Sequence, residues 1–269
     1  MSYTIADLQY LMARLRDPEA GCPWDLKQTP MTVIPHTLEE VYELVDAIEQ
    51  GDTPQIQQEL GDVLFQVIFY SQLAAEQDQF DFSNVVNDIV AKLLRRHPHV
   101  FPEGTLQSRR STGAPDDEAI KARWEEIKQS ERTQKSQHSA LDDVPQALPA
   151  LTRATKLQKR AAQAGFDWRE LTSVITALRE ELDELEEAIA IGEPPAIADE
   201  MGDVLFSAVN LSRHLDLDAE ATTRAACRKF ERRFRFVEQR CIEMGVSGAN
   251  GAADPQLELF WTEAKAAGL

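Results

Sequence analysis

The chain has 269 residues, with 46 acidic against 28 basic side chains, a formal net charge of −18 and 43% hydrophobic content. The excess of acid argues against nucleic acid or an anionic membrane as the principal partner. The apolar share suffices for one large domain or two modest ones. Cys22, Cys227 and Cys241 are widely spaced, with no CxxC pair and no Cys/His zinc spacing, which predicts reduced thiols in a cytoplasmic protein. The opening MSYTIADLQ lacks the basic and apolar regions of a signal peptide. The longest apolar run, Val63 to Tyr70, is broken by Gln66 and too short to span a bilayer, so no membrane partner is expected.

Apolar residues recur at helical spacing and strict alternation is scarce, which predicts an all-α protein. The first helix is expected over about Ile5 to Leu15. A Pro- and Gly-bearing turn, DPEAGCPWDLKQT, follows; Trp24 is expected to pack it onto the core, and Asp25 could cap a helix. Next comes TLEEVYELVDAIEQGDTPQIQQELGDVLFQVIFYSQLA, two helices around a turn, bearing Glu39, Glu40 and Glu43 and then Glu59 and Asp62. In KLLRRHPHVF, Lys92 and Arg96 are four apart, and Pro98 should end their helix just beyond Arg96. Gln107 to Pro115 reads as a mobile loop, and RWEEIK contributes Trp124 and Lys128. His97, His99 and His138 form no recognisable ligand set. The polar stretch TQKSQHSALDDVPQALP reads as a linker, and LTRATKLQKRAAQAGFDW as an amphipathic helix ending at Gly165.

The stretch from Glu180 to Asp203, EELDELEEAIAIGEPPAIADEMGD, predicts a helical hairpin closed at Gly192, Pro194 and Pro195. Leu178, Leu182, Leu185 and Ile189 form its apolar stripe, with Glu181 and Glu184 on the flank in line with Ala177 and Ala188. On the second helix Glu200 and Asp203 share a face that continues through Ser207 and Asn210. Lys229 and Arg233 follow in KFERRFRFVE, an uninterrupted helical run to about Glu238, and Trp261 and Lys265 in FWTEAK. The stretch from about Gly245 to Pro255 is Gly/Ala-rich and expected to be flexible.

The hairpin occurs twice. Glu43 and Glu184, and Asp62 and Asp203, are each separated by 141 residues, and the 16-residue step from Glu43 to Glu59 recurs from Glu184 to Glu200. Gly61 and Gly202 match as well. A mid-helix glycine costs about 1 kcal/mol, so its recurrence suggests close approach of a backbone or ligand. Lys92 and Arg96 answer Lys229 and Arg233, while Trp124 and Lys128 answer Trp261 and Lys265, at an offset of 137. An internal repeat of roughly 140 residues accounts for these echoes. It divides the chain into an N-terminal domain over residues 1–133, a linker over 134–150 and a C-terminal domain over 151–269.

Closing either hairpin brings four carboxylates together: Glu40, Glu43, Glu59 and Asp62, or Glu181, Glu184, Glu200 and Asp203. Such a set repels itself unless a cation sits within it, and oxygen-only ligands suit Mg²⁺ or Mn²⁺. A solvated surface gives no reason to repeat the acid pattern, its spacing and the basic pair downstream. One divalent cation leaves two of four negative charges, so a polyphosphate ligand requires further positive charge, which Lys229 and Arg233 could supply. Trp261 could be core or a stacking surface.

EExxE, about 16 residues and then ExxD, resembles the signature of the all-α nucleoside triphosphate pyrophosphohydrolases. CPWDLKQT, HSALDDVPQALPAL, KLQKRAAQAGFDW and the two-copy layout are similar to the MazG family within it, over nearly the whole chain. The resemblance implies two tandem MazG-like helical-bundle domains, a homodimer, and Mg²⁺-dependent hydrolysis of nucleoside triphosphates to monophosphate and pyrophosphate. It implies metal ligation by Glu181, Glu184, Glu200 and Asp203, the catalytic set, and by Glu40, Glu43, Glu59 and Asp62. It also implies phosphate contacts from Lys229 and Arg233, with Trp261 and Lys265 near the nucleotide. Glu39 and Glu180 point further out and read as supporting or surface residues. Asn210 is the side chain beside the acids able to bind a ligand or orient water. The first copy has Gln66 and Phe69 at the places of Ser207 and Asn210, so the second copy is expected to carry most of the activity. Two alternatives remain: a non-catalytic regulatory helical dimer that binds a nucleotide, an alarmone or a partner protein, and an enzyme restricted to one nucleotide such as dUTP or dCTP.

Overall fold

The structure, a computed structural model, describes residues 2–110, 113, 116, 118–120, 123–124, 126–127, 139–245 and 255–269. Among the described residues all regular elements are helical: α1 (Ile5–Leu15), a short 3₁₀ turn (Asp25–Lys27), α2 (Pro30–Gln50), α3 (Thr53–Ala75), α4 (Phe82–Arg96), α5 (Ala150–Gln163), α6 (Leu171–Ile191), α7 (Pro194–His214), α8 (Ala219–Met244) and α9 (Pro255–Ala266). None is long and apolar enough to cross a membrane. The chain divides into two compact units, Met1–Glu131 and Arg132–Leu269. Parts of the expected loop at 107–115, of the linker and of the 245–255 stretch lie outside the described residues.

Each unit is built on one helical hairpin, α2 with α3 and α6 with α7. Gly51 and Gly192 end the first helix of each in the left-handed region, at φ 74° and 81°, where glycine carries no Cβ penalty. Proline then occupies the first turn of α3 and of α7, where its missing N–H costs nothing. In the first unit α1 and α4 pack on α3, and the core gathers Met12, Val33, Ile68, Phe69 and Leu73. In the second unit α5 packs on α7 and α8, and α9 lies along α8. Among the described residues of that unit, Ala154 gathers with Val209 and Ala219, and Val237 with Cys241 and Phe260, into two small cores.

Three expectations are corrected. Trp24 is 51% exposed and meets His36 edge-on; the turn is anchored instead by buried Asp25, whose carbonyl accepts from Arg16. In α6 the leucine stripe is only partly buried: Leu178 and Leu185 are half-buried and Leu182 and Ile189 are 44% and 57% exposed, while Val174 and Ala188 on its flank are buried. A Cβ added at Gly61 or Gly202 meets nothing within 4 Å, so no close neighbour within the chain accounts for the repeated glycine.

Candidate active site

The expected acids do converge. In the first unit, oxygens of Glu40 and Glu43 from α2 and of Glu59 from α3 lie within 4.8 Å of one another; in the second, Glu181, Glu184 and Glu200 do the same. Asp62 and Asp203 stand outside these tightest triplets but remain electrostatic neighbours. After burial, Asp62 is the main influence raising the pKa of Glu40, and Asp203 that raising Glu181. Burial, then Glu59, raises Glu43, and burial, then Glu184, raises Glu200. Both causes disfavour the charged form. Glu39 and Glu180 are exposed and belong to neither triplet.

The donor set fits a hard divalent cation. With metal–oxygen bonds of about 2.1 Å, opposed ligand oxygens lie roughly 4.2 Å apart, so a separation within 4.8 Å needs little contraction. Glu59 is buried: its Oε1 accepts from Gln55 at 3.0 Å while its Oε2 has no partner. A buried carboxylate oxygen without a donor or cation is costly.

Beside the second acid cluster the polar face of α7 continues as expected. Ser207 Oγ donates to Glu181 Oε1 at 3.5 Å, and Ser207 and Asn210 line a cavity of about 260 Å³ whose wall includes Leu157, Phe166, Trp168 and Phe206. Asn210 is buried, and its Oδ1 accepts from Arg213 Nε and Nη2 at 3.0 and 2.8 Å. Arg213 in turn grips Asp167 through Nη1 and Nη2 at 3.0 and 2.5 Å, and His214 Nε2 lies 3.0 Å from Asp167. This network ties the Gly165–Trp168 segment to α7. The first copy differs as the sequence indicates: at the place of Asn210, Phe69 is 2% exposed in the core with the Arg16 guanidinium 5.6 Å from its ring. Gln66, at the place of Ser207, lies in a hydrogen-bonded group with Thr37 and Tyr70.

A family model described as the MazG nucleotide pyrophosphohydrolase domain matches residues 28–101 and again 169–237. The chain belongs to the MazG family. It is 48% identical to a nucleoside triphosphate pyrophosphohydrolase of Escherichia coli K12, over 95% of this chain and 94% of the relative. It is 39% identical to a nucleoside triphosphate pyrophosphohydrolase/pyrophosphatase of Thermotoga maritima, over 96% and 94%. An uncharacterized protein of Bacillus subtilis, YabN, is 38% identical over 95% of this chain and 50% of its own length. Both hairpins, with all eight acids, fall inside the two matched MazG segments.

The remaining residues implied by the MazG resemblance are placed less uniformly. In the second unit Arg233 lies 5.9 Å from the Trp261 ring and donates through Nε to the Leu269 carbonyl at 2.6 Å. Trp261 packs beside Phe260 and touches Phe230, and Lys229 and Lys265 are exposed. Among the described residues no ion pair joins Lys229 or Arg233 to the four carboxylates. In the first unit α4 ends at Arg96, as Pro98 requires, whereas α8 continues unbroken to Met244. Trp124 lies 6.3 Å from His97, and Lys128 is outside the described residues. The sequence reading passed over Asp167, Arg213 and Gln158. Arg213, one helical turn beyond Asn210, was the available signal.

Proposed function

We propose that the protein is a nucleoside triphosphate pyrophosphohydrolase, converting an NTP or dNTP and water to the monophosphate and pyrophosphate, with its principal site in the second unit. The observation that carries this reading is the contact of Ser207 with Glu181, which sets an aromatic-walled cavity directly beside a carboxylate cluster. A nucleotide needs both features: a slot for a base and a place where its phosphates meet a cation.

Glu181, Glu184, Glu200 and Asp203 would hold Mg²⁺ or Mn²⁺, which when bound acidifies water and offsets phosphate charge. The carboxylates cannot take a triphosphate unaided, since like charges repel. Lys229 and Arg233 are assigned to the phosphates, with Trp261 and Lys265 flanking the nucleotide. Since among the described residues no ion pair ties Lys229 or Arg233 to the four carboxylates, a homodimer in which a second chain helps complete the site fits this assignment. Water attacks the α phosphorus, the bond to the oxygen bridging to the β phosphorus breaks, pyrophosphate leaves, and a cluster carboxylate takes the proton. The first unit, with Glu40, Glu43, Glu59 and Asp62, would hold a cation too. There Phe69 fills the place that Asn210 occupies in the second unit, and Lys92, Arg96, Trp124 and Lys128 would be the weaker counterparts. The cellular role that follows is adjustment of nucleotide pools in the cytoplasm.

The test is incubation with a panel of NTPs and dNTPs plus Mg²⁺, with products separated by ion-exchange chromatography. Monophosphate and pyrophosphate are expected. Orthophosphate released directly from NTP would place the attack at the γ phosphorus and overturn the reading.

A further inference from the structure

One polar side chain in the cavity wall has no role in the scheme above. Gln158 projects from α5 and is 8% exposed. Its Nε2 donates to the Phe206 carbonyl at 2.8 Å, whereas its Oε1 has no partner. The amide cannot be turned over without setting oxygen against oxygen, so the free group is an acceptor. Asn210, also in the lining, is the reverse case. Asn210 commits its Oδ1 to two bonds from Arg213, leaving Nδ2 as its remaining donor. A slot walled by Phe166, Trp168 and Phe206 thus carries one donor and, just beneath its lining, one unpaired acceptor. A nucleobase edge presents the complement, an N–H beside a ring nitrogen or carbonyl oxygen, and its flat faces suit aromatic walls.

We propose that Gln158 is the specificity-determining residue of the second site: its Oε1 accepts an N–H from the edge of the substrate's base while Asn210 Nδ2 donates to the neighbouring acceptor. The inference rests on the nucleotide-hydrolase reading and deepens it. Oε1 is shut off from solvent, so a neighbouring side chain of the lining turns aside as the base enters, with the Gln158 bond to the Phe206 carbonyl kept. A buried acceptor left unpaired is a standing penalty, which a base carrying the N–H removes and an analogue lacking it does not. The first unit has no equivalent donor, since Phe69 stands where Asn210 does.

The experiment compares kcat/KM for natural triphosphates against analogues whose edge N–H is deleted or methylated: adenine against purine, cytosine against 2-pyrimidinone, uracil against 3-methyluracil. The unchanged protein is expected to prefer the natural base by about 10- to 100-fold. In Gln158→Leu, and in Gln158→Met as a second variant, that ratio should fall to near one. A ratio near one in the unchanged protein, which involves no question of folding, overturns the proposal, as does a ratio that survives both substitutions. Failure to hydrolyse any triphosphate would instead remove the hydrolase reading on which the proposal rests.

Discussion

Two ion pairs of the same chemistry offer a controlled comparison. Arg213 grips Asp167 with two hydrogen bonds, at 3.0 and 2.5 Å, and Arg16 grips Glu76 with two, at 2.8 and 2.6 Å. Only the first borders the cavity, where Asp167 belongs to the wall between Phe166 and Trp168. Charge-assisted hydrogen bonds contribute roughly 1.5–3 kcal/mol each. The Asp167 side chain retains 28% exposure, so solvent screening removes a large part of that. Asp167→Ala is therefore expected to cost about 2 kcal/mol, lowering the midpoint of thermal unfolding of the second unit by roughly 5–10 °C. Glu76→Ala should cost a similar or smaller amount in the first unit, its partner carboxylate being 34% exposed. The kinetics should separate the two. Loosening Asp167 frees the Gly165–Trp168 wall, so KM for NTP should rise about tenfold with kcat little changed, whereas Glu76→Ala should leave KM alone. Hydrogen bonding from Arg213, and then from His214, holds the Asp167 carboxyl below its ordinary 3.8 despite burial. A depressed carboxylate stabilises the fold above its ordinary pKa and loses that contribution as pH falls through the folded value. The stability gap between Asp167→Ala and the unchanged protein should accordingly be complete at pH 6 and close under acid conditions. An unchanged KM in Asp167→Ala, or an equal rise in Glu76→Ala, would refute this account of the wall.

The acid clusters yield further predictions. Glu200→Gln should abolish nearly all turnover, while Glu59→Gln should leave most of it, because Ser207 and Asn210 line a cavity beside the acids of the second unit whereas Phe69 fills the place of Asn210 in the first; equal losses on an NTP panel would contradict the asymmetry. EDTA should abolish activity and Mg²⁺ or Mn²⁺ restore it, measured on protein verified metal-free by elemental analysis. Burial and mutual repulsion raise Glu40, Glu43, Glu181 and Glu200, so without metal this set destabilises the folded state increasingly as pH rises above the ordinary 4.5. Metal binding competes with those protons, and the thermal shift on adding Mg²⁺ should be larger at pH 7.5 than at pH 5. Light scattering at micromolar concentration should give at least twice the 30.2 kDa chain mass; a value near one chain would oppose the dimer.

What was legible in the sequence followed from periodicity and duplication. Ile5 to Leu15 is a helix as the pattern indicates, α4 stops at Arg96 because of Pro98, and six of the eight acids meet in two triplets, with Asp62 and Asp203 as their electrostatic neighbours. Spacing along a helix fixes which residues share a face, but which face is buried depends on what the neighbour can approach. That is why Leu182 and Ile189 lie outside while Val174 and Ala188 lie inside. Pairings across long separations leave no periodic trace, so the link from Arg213 to Asp167 and from Gln158 to the Phe206 carbonyl emerged only in three dimensions.

The repeat also separates two demands that a nucleotide site makes. The acids recur at the same spacing in both units and meet in the same triplets, which is what holding a cation requires. The positions one and two turns further along the same helices do not recur. Gln66 and Phe69 satisfy themselves within the first unit, through Thr37, Tyr70 and the apolar core. Ser207 and Asn210 line a cavity in the second. A large apolar ring at Asn210 would fill that space, and an amide at Phe69 would bury polar atoms in a core of Met12, Val33 and Leu73, at a cost that burial without partners makes steep. Each choice is therefore locked in by its own surroundings. One hairpin scaffold can hold the same charge cluster in both units while the helix that carries Glu59 and Asp62 turns an aromatic ring into its core and the helix that carries Glu200 and Asp203 lines a cavity.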